Sequence, residues 1–195
     1  MSRNVLCIMG PTGSGKTDLA CFLSDKVNCE IVSVDSVLVY KGLDIGSAKP
    51  SASVLKKYPH HLVDICDPAS NYSVGNFYND LELLLKQIIS RGNLPVLVGG
   101  TAMYFNAIQF GMNDLPVSSE STRSALIEKL NLSEDSKQLY NHLETVDPQT
   151  AKMLVATDKQ RIIRALDVYY QAGIPLIELQ KHKQNTLDYN WHNII

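Results

Sequence analysis

A glycine-rich segment near the start of the chain constrains the fold more than any other feature. Residues 10–17, GPTGSGKT, match the pattern G-x-x-x-x-G-K-[ST] of phosphate-binding loops. A short apolar run at residues 5–9 precedes this segment, and an amphipathic pattern at residues 16–27 follows it. Such a loop requires a strand before it and a helix after it, and the context argues against a glycine turn that merely joins two elements.

The residue types in the loop suit the binding of a diphosphate or triphosphate. Small residues let successive backbone N–H groups turn toward phosphate oxygens, and the following helix adds the positive end of its dipole. Lys16 supplies a full positive charge, and the hydroxyl of Thr17 is placed to bind Mg²⁺. The predicted phosphate site consists of Gly10, Pro11, Thr12, Gly13, Ser14, Gly15, Lys16 and Thr17.

The composition excludes several classes of protein. Of the 195 residues, 45% are hydrophobic and 19% are charged, which is typical of a globular chain and not of a disordered one. The net charge of -2 creates no overall basic field for nucleic acid or an anionic membrane, but it is compatible with a local basic patch. No apolar run approaches the roughly 18 residues of a membrane-spanning helix. The four cysteines have no zinc-site spacing, and Cys7 and Cys21 lie in apolar patterns, which suits core residues in a reducing compartment. We therefore expect a cytoplasmic protein without a membrane partner.

Apolar runs alternate with amphipathic patterns over the first part of the chain. Strands are predicted at residues 5–9, 31–34 and 95–98, with a possible further strand at 61–65. Helices are predicted at residues 16–27, 76–91 and 101–110. This alternation indicates an α/β fold, in which residues 1–115 form a P-loop NTPase-like parallel sheet flanked by helices.

The pattern changes after residue 115. Residues 116–180 show helical periodicity without a convincing strand, which predicts a helical insertion domain that acts as a lid. Its helices are predicted at residues 121–130, 137–144, 148–154 and 158–172. Residues 181–195 are predicted to return to the core sheet, because residues 189–195 alternate weakly as in a strand. We expect the chain to end early, before a helix that would cover this strand.

Asp35 is the candidate catalytic residue that the pattern itself provides. It follows the second predicted strand, and the carboxyl ends of parallel strands face the ligand crevice. A carboxylate there could serve as a general base or in the shell of a metal, or it could simply cap the next turn. Asp64 is a weaker candidate of the same kind. The strand at 95–98 is followed by glycines and Thr101, and so lacks the carboxylate with which an ATPase would hold Mg²⁺.

Several longer segments resemble the tRNA dimethylallyltransferases, which transfer an isopentenyl-type group to a tRNA adenosine. Residues 35–50, DSVLVYKGLDIGSAKP, resemble the signature of that family. Further matches follow in the same order: residues 59–64, Tyr72-Ser73 with Phe77, residues 97–101 with Tyr104, Leu115-Pro116 with Arg123, and residues 158–166. The resemblance extends from about residue 5 to residue 179, and the chain is expected to lack the C-terminal part of such enzymes.

The resemblance implies a reaction and a role for each matching residue. The phosphate loop would hold the diphosphate of dimethylallyl diphosphate with Mg²⁺ as cofactor. The dimethylallyl group would pass to the exocyclic amine of the adenosine next to the anticodon, and diphosphate would be released. Asp35 would accept the amine proton and Thr101 would contact the substrates, which makes these two the expected catalytic residues. The residues expected to contact tRNA are Asp35, Ser36, Val37, Leu38, Thr101, Arg123, Gln160, Arg161, Ile162, Ile163 and Arg164.

The chemistry of the residues agrees with this displacement but leaves alternatives open. An adenine amine is a poor nucleophile, so it needs a base for its proton and a leaving group whose charge is neutralised. A P-loop nucleoside or small-molecule kinase would share the phosphate loop, the nearby aspartate and a helical lid. An adenine-nucleotide isopentenyltransferase or a non-catalytic tRNA-binding fragment is also compatible. We expect a monomer that folds its phosphate loop but, as the 195-residue chain alone, transfers poorly.

Overall fold

The structure, a computed structural model, describes residues 3–113, 115–118, 120–129, 135–181, 183–184 and 186–195. The chain divides into two compact units. One comprises Met1–Met112 with Asn185–Ile195, and the other comprises Asn113–Gln184. The boundaries predicted from the sequence lie close by, after residues 115 and 180.

The first unit is built on a parallel sheet. The strands of the chain, in order, are β1 (Asn4–Met9), β2 (Cys29–Val34), β3 (His60–His61), β4 (Leu94–Gly99), β5 (Met112–Asn113), β6 (Lys183–Gln184) and β7 (Asn190–Ile194). In the described part of the chain, five of them form one sheet in the order β3-β2-β4-β1-β7, and each neighbouring pair is parallel. Because β1, β2 and β4 lie side by side, the segments that follow their carboxyl ends meet at one edge.

Helices cover both faces of this sheet. They are α1 (Lys16–Ser24), α2 (Ala52–Lys57), α3 (Val74–Ser90) and α4 (Ala102–Phe110). Alternate strand residues point to opposite faces, so Cys7 packs with residues of α3 and α4, whereas Ile8 packs with Ala20 of α1. The predicted α/β class, a parallel sheet flanked by helices, is confirmed.

The structure differs from the predicted elements mainly around the third strand. The extended segment predicted at residues 61–65 is limited to His60–His61, because Leu62 and Asp64 adopt positive φ angles of 61° and 55°. Helix α1 ends at Ser24, three residues before the predicted end, since the chain turns at Asp25. Helix α2 was not predicted.

The second unit has a helical core of its own. Its helices are α5 (Glu120–Lys129), α6 (Ser136–Val146), α7 (Pro148–Ala151), α8 (Lys159–Ala172) and α9 (Leu176–Lys181). Asp147 is fully buried in this unit: its Oδ1 accepts a hydrogen bond from the N–H of Thr150 (3.0 Å), and its Oδ2 accepts one from the N–H of Leu176 (3.1 Å). This carboxylate therefore caps α7 and fixes the start of α9. Helix α9 was not predicted from the sequence. Within the described residues, no helix of either unit is long and apolar enough to cross a bilayer.

Candidate active site

The phosphate loop connects β1 to α1, as the sequence predicts. Gly13 and Gly15 both have a φ of 82°, a left-handed conformation that glycine adopts without strain, and Gly15 forms the N-cap of α1. The Nζ of Lys16 donates hydrogen bonds to the backbone oxygen of Pro11 (2.5 Å) and to Oγ of Ser14 (3.3 Å). The ammonium group thus lies over the loop, where it can meet a bound phosphate.

A cavity of about 320 Å³ lies at the carboxyl ends of the strands. Its lining comprises loop residues 12–17 with Asp18, Asp35, Leu38, Ser47, Ala48, Val98, Gly99 and Gly100. The structure therefore brings the predicted phosphate loop and the predicted catalytic carboxylate into one cavity. This arrangement follows from the sheet order, since Asp35 comes after β2 and the glycines end β4, both close to the loop that follows β1.

Asp35 is half-buried at the start of a tight turn. Its Oδ1 accepts hydrogen bonds from the backbone N–H groups of Val37 (2.8 Å) and Leu38 (3.2 Å). Among the described residues, none donates to Oδ2, so one carboxylate oxygen holds the turn and the other is available to a ligand. The alternative that Asp35 caps a turn is observed, and it is compatible with a position in the cavity wall.

Thr101 holds the same turn from the neighbouring strand. Its Oγ1 accepts a hydrogen bond from the N–H of Ser36 (3.2 Å), and its N–H donates to the backbone oxygen of Val34 (3.4 Å). Thr101 is not one of the described residues that line the cavity. Its observed contact is therefore with the backbone beside Asp35.

Asp64, the weaker catalytic candidate, occupies a different position. Its Oδ1 lies 2.5 Å from the Nζ of Lys49, and its side chain is outside the described cavity wall. Of the two aspartates that the sequence offered, only Asp35 therefore lines this cavity. The left-handed backbone at Asp64 ends the extended segment before it reaches the edge of the sheet where Asp35 lies.

The remaining residues expected to contact tRNA lie in the second unit. Arg161 has 74% of its side chain exposed, and it pairs with Asp158 at the start of α8. Gln160 is exposed, and Arg123 donates to Oγ of Ser118 (3.0 Å).

The other three members of the same predicted set are buried or half-buried. Ile162 and Ile163 are 0% and 8% exposed and pack in the helical core, so their side chains cannot meet an RNA. Arg164 pairs with Asp167 (3.2 Å) and donates to the backbone oxygen of Pro116 (2.8 Å). The helical period explains this, because a run of consecutive residues on a helix necessarily includes its buried side.

The cavity contains oxygen ligands suited to Mg²⁺. The hydroxyl of Thr17 and the carboxylates of Asp18 and Asp35 all lie in its wall. Magnesium is usually bound by one or two carboxylates together with substrate phosphates rather than by an all-protein cage. These residues therefore fit a magnesium ion that arrives with a diphosphate. No cluster of three or more His, Cys, Asp or Glu residues that could hold a metal occurs among the residues described.

The cavity-wall residues that were not predicted as site residues are Asp18, Ser47, Ala48, Val98, Gly99 and Gly100. Ser47 and Ala48 belong to the signature segment at residues 35–50, which was the available signal, but their spacing gave no role. Ala48 has a φ of 55°, and this left-handed turn, which brings the segment to the cavity, has no marker in the residue type.

Comparison with known proteins identifies the family. A family model described as IPP transferase matches residues 38–195. The chain belongs to the IPP transferase family. A second model, described as isopentenyl transferase, matches residues 3–65, which include the phosphate loop and Asp35. The resemblance to this family that the motifs indicated is confirmed.

Curated relatives in the family are similar along nearly the whole chain. A tRNA dimethylallyltransferase from Vesicomyosocius okutanii is 42% identical over 195 residues, which cover 100% of this chain and 64% of the relative. One from Psychrobacter arcticus is 45% identical, covering 97% of this chain and 47% of the relative. The chain thus spans about half to two-thirds of the length of these members.

Solved structures agree with the fold. A eukaryotic dimethylallyltransferase acting on tRNA superposes with a TM-score of 0.78 at 28% identity, covering 98% of this chain and 48% of that one. The tRNA isopentenylpyrophosphate transferase from Bacillus halodurans gives a TM-score of 0.56 at 36% identity, covering 89% of this chain and 57% of that one. The sheet and its flanking helices are therefore those of this family.

Proposed function

We propose that this chain carries the donor site and the acceptor-activating carboxylate of a tRNA dimethylallyltransferase. The observation that carries the proposal is the single cavity that contains both the phosphate loop and Asp35. The relatives of the family that are named tRNA dimethylallyltransferases support the choice of reaction. We also propose that the protein acts in the cytoplasm, where tRNA is available as the acceptor.

In the proposed mechanism the loop binds the diphosphate of dimethylallyl diphosphate. Lys16 and the backbone N–H groups of the loop neutralise the charge that develops on the departing diphosphate. When bound by Thr17 and the phosphates, Mg²⁺ would add a further positive charge there. Because a diphosphate leaves only when its charge is stabilised, the loop activates the donor and no phosphoryl transfer is needed.

Asp35 acts on the acceptor. As the adenosine amine attacks the allylic carbon, the C–O bond to diphosphate breaks, and the free Oδ2 of Asp35 receives the proton that the amine loses. A well-placed general base contributes about 10²–10⁴-fold to such a rate. The hydrogen bonds from Val37 and Leu38 to Oδ1 keep this carboxylate oriented without using the oxygen that takes the proton.

For tRNA itself, we propose contacts by two parts of the chain. The turn at Ser36 and Val37 is exposed beside the cavity and can meet the nucleotide that carries the acceptor amine. In the second unit, Gln160 and Arg161 are exposed and suit contact with the phosphate backbone. The net charge of -2 means that such contacts are local.

The reaction is tested by supplying Mg²⁺, unmodified tRNA, dimethylallyl diphosphate and ATP together to the product of the complete reading frame. Nucleosides from the digested tRNA are then analysed by mass, and ATP is quantified. The proposal expects a dimethylallyl group on adenosine with ATP unchanged. Consumption of ATP without a modified nucleoside would instead indicate a kinase.

Asp35→Asn tests the role of the carboxylate. Asparagine retains an oxygen that can accept the hydrogen bonds from Val37 and Leu38, but it cannot take a proton. We expect kcat to fall by about 10²–10⁴-fold, with the affinity for pyrophosphate within a few fold of the original. Single-turnover transfer and calorimetric titration with pyrophosphate measure the two effects. Unchanged turnover would remove Asp35 from the mechanism. The matched control is Asp25→Asn, because Asp25 lies at the end of α1 and is not one of the described residues that line the cavity.

A further inference from the structure

Lys49 is a buried cation that the mechanism above does not use. Only 4% of its side chain is exposed, although lysine rarely lies in a protein interior unless it is paired. Its Nζ donates to the backbone oxygen of Tyr40 (3.1 Å), to Oδ1 of Asp44 (2.7 Å) and to Oδ1 of Asp64 (2.5 Å). All three donors of the ammonium group thus have an acceptor.

The three contacts of Lys49 connect segments that form different parts of the cavity wall. Lys49 directly follows Ser47 and Ala48, which line the cavity. Asp64 is tied to Leu38, another residue of the wall, because the N–H of Asp64 donates to the backbone oxygen of Leu38 (3.1 Å). The pair of Lys49 and Asp64 therefore joins the segment at Ser47 to the turn that begins at Asp35.

The backbone connection on the Asp64 side extends over several residues. The N–H groups of Ile65 and Cys66 both donate to the backbone oxygen of Val39 (2.9 Å each), and the N–H of Lys41 donates to the oxygen of Cys66 (2.9 Å). A displacement of Asp64 would therefore move the chain just beyond the Asp35 turn. Asp44 lies in the same segment as Lys49, and in the described part of the chain no backbone hydrogen bond connects Asp44 to the Asp35 turn.

Backbone conformation at both ends of the pair is unusual. Ala48, next to Lys49, and Asp64 each have a φ of 55°, a left-handed conformation that residues other than glycine seldom adopt. Such conformations persist where the surroundings fix them, and they are concentrated at functional sites. Although burial opposes the charged form of Lys49, hydrogen bonds from its ammonium group to Asp44 and Asp64 raise its pKa, so it remains a cation at neutral pH.

From these contacts we propose that Lys49 and Asp64 are positioning residues that hold the Ser47–Ala48 wall and the Asp35 turn at the separation that the donor diphosphate and the acceptor require. This inference rests on the function proposed above. Neither residue touches the reacting atoms, and both act through the wall segments to which they are attached.

The competing explanation is that the two carboxylates merely neutralise a buried charge. The structure separates the two ideas, because Asp44 and Asp64 contribute similar ion pairs but connect different segments. The side chains of Asp44 and Asp64 are 66% and 41% exposed. Asp44 links Lys49 only to its own segment, whereas Asp64 links it to the Asp35 turn. Charge neutralisation predicts similar effects of losing either carboxylate, and positioning predicts a large effect for Asp64 alone.

The test compares Asp64→Asn with the matched control Asp44→Asn in the product of the complete reading frame. Asparagine tolerates the left-handed backbone at position 64 and keeps the N–H that bonds to Leu38. For Asp64→Asn we expect kcat/KM for dimethylallyl diphosphate to fall by about 10²-fold and pyrophosphate to bind about tenfold more weakly. Asp44→Asn should stay within about fivefold on both measures, as for an exposed ion pair.

Thermal unfolding of each variant is measured beside these values, with Lys49→Met as a third variant. The inference is supported if Lys49→Met and Asp64→Asn lose binding and turnover and the double variant loses no more than the worse single one. It is overturned if Asp44→Asn and Asp64→Asn fall equally, or if neither changes. Pyrophosphate affinity tests the role of the Lys49–Asp64 pair even if the wild-type protein transfers no dimethylallyl group. A failure of the proposed function would therefore be recognised separately.

Discussion

At the scale of single residues, the most informative feature is the division of labour between the two oxygens of Asp35. Oδ1 accepts both hydrogen bonds from the following turn, and Oδ2 has no donor among the described residues. The sequence left three interpretations of Asp35: a general base, a ligand in the shell of a metal, and a cap of the next turn. A carboxylate has enough acceptor positions for a base and a cap together, so the cap can serve to orient the base.

Glu30 shows the same principle in a purely structural setting. At the start of β2 it accepts hydrogen bonds from Nε and Nη2 of Arg91 (2.8 and 2.7 Å) and from Nδ2 of Asn93 (2.8 Å). Its Oε2 also lies 2.7 Å from Nε2 of His61. The hydrogen bonds from Arg91, opposed by burial and reinforced by Asn93 and His61, lower the pKa of Glu30 from 4.5 to about 2.

Glu30→Gln should therefore destabilise the protein in a pH-dependent way. Because the folded state lowers the pKa of Glu30, its ionised form stabilises the fold fully above about pH 4.5, and this contribution declines as the pH falls toward 2. The loss at neutral pH should be roughly 2–3 kcal/mol, allowing for solvent screening of the half-exposed Arg91. Urea unfolding of both proteins across this range measures it, and a difference that does not shrink at low pH would contradict the assignment.

At the scale of elements, the close approach of β2 and β4 sets the geometry of the cavity edge. Val34 and Gly99 are opposite each other in the register of these strands. A Cβ atom on Gly99 would lie only 2.0 Å from the backbone oxygen of Val34. The absence of a side chain at this position allows β2 and β4, which end just before Asp35 and Thr101, to lie side by side at their carboxyl ends.

Gly99→Ala should separate these strand ends. We expect a loss of stability of about 1–3 kcal/mol or more from overpacking, together with weaker transfer, because the Thr101 hydroxyl would lose its contact with the backbone of Ser36. Thermal unfolding and the transfer assay measure the two effects. Gly75→Ala, in helix α3, is the control, because a Cβ atom there would lie 3.5 Å from its nearest neighbour, Oγ of Ser73. This substitution should stabilise the protein by up to about 1 kcal/mol. Equal effects of the two substitutions would contradict this account.

At the scale of the whole molecule, the described residues form separate cores in the two units. The sheet unit buries Leu85 with other residues of α3 and α4, and the helical unit buries Leu143 with residues of α5 and α8. These core clusters have no residue in common. Each unit therefore has its own source of stability.

Leu143→Ala should weaken the helical unit selectively. Truncation of a fully buried leucine costs about 2–5 kcal/mol, and we expect the faster amide hydrogen exchange to be confined to helices such as α6 and α8. Leu85→Ala is the matched variant and should act on α3 and the sheet instead. Hydrogen exchange followed by mass spectrometry distinguishes the two patterns. Acceleration of equal size in both units by either variant would show that the chain unfolds as one cooperative body.

The sequence by itself determined the phosphate loop, the α/β class and the family. These features depend on local patterns: apolar runs suited to buried strands, the helical period, and glycine and lysine at fixed spacings. The location of Asp35 beside the phosphate loop could also be predicted from its position in the sequence, because a residue that follows a parallel strand is directed to the ligand crevice.

Only the tertiary structure decided which distant residues become partners. It placed Ser47 and Ala48 in the cavity wall, paired Lys49 with Asp64, and turned Ile162 and Ile163 into the core of the helical unit. A run of residues specifies its own period, but the selection of partners far apart in sequence depends on packing and on the free energy of burying charge. For that reason the phosphate loop and Asp35 could be recognised in the motifs, whereas the contacts that hold the cavity wall in shape could not.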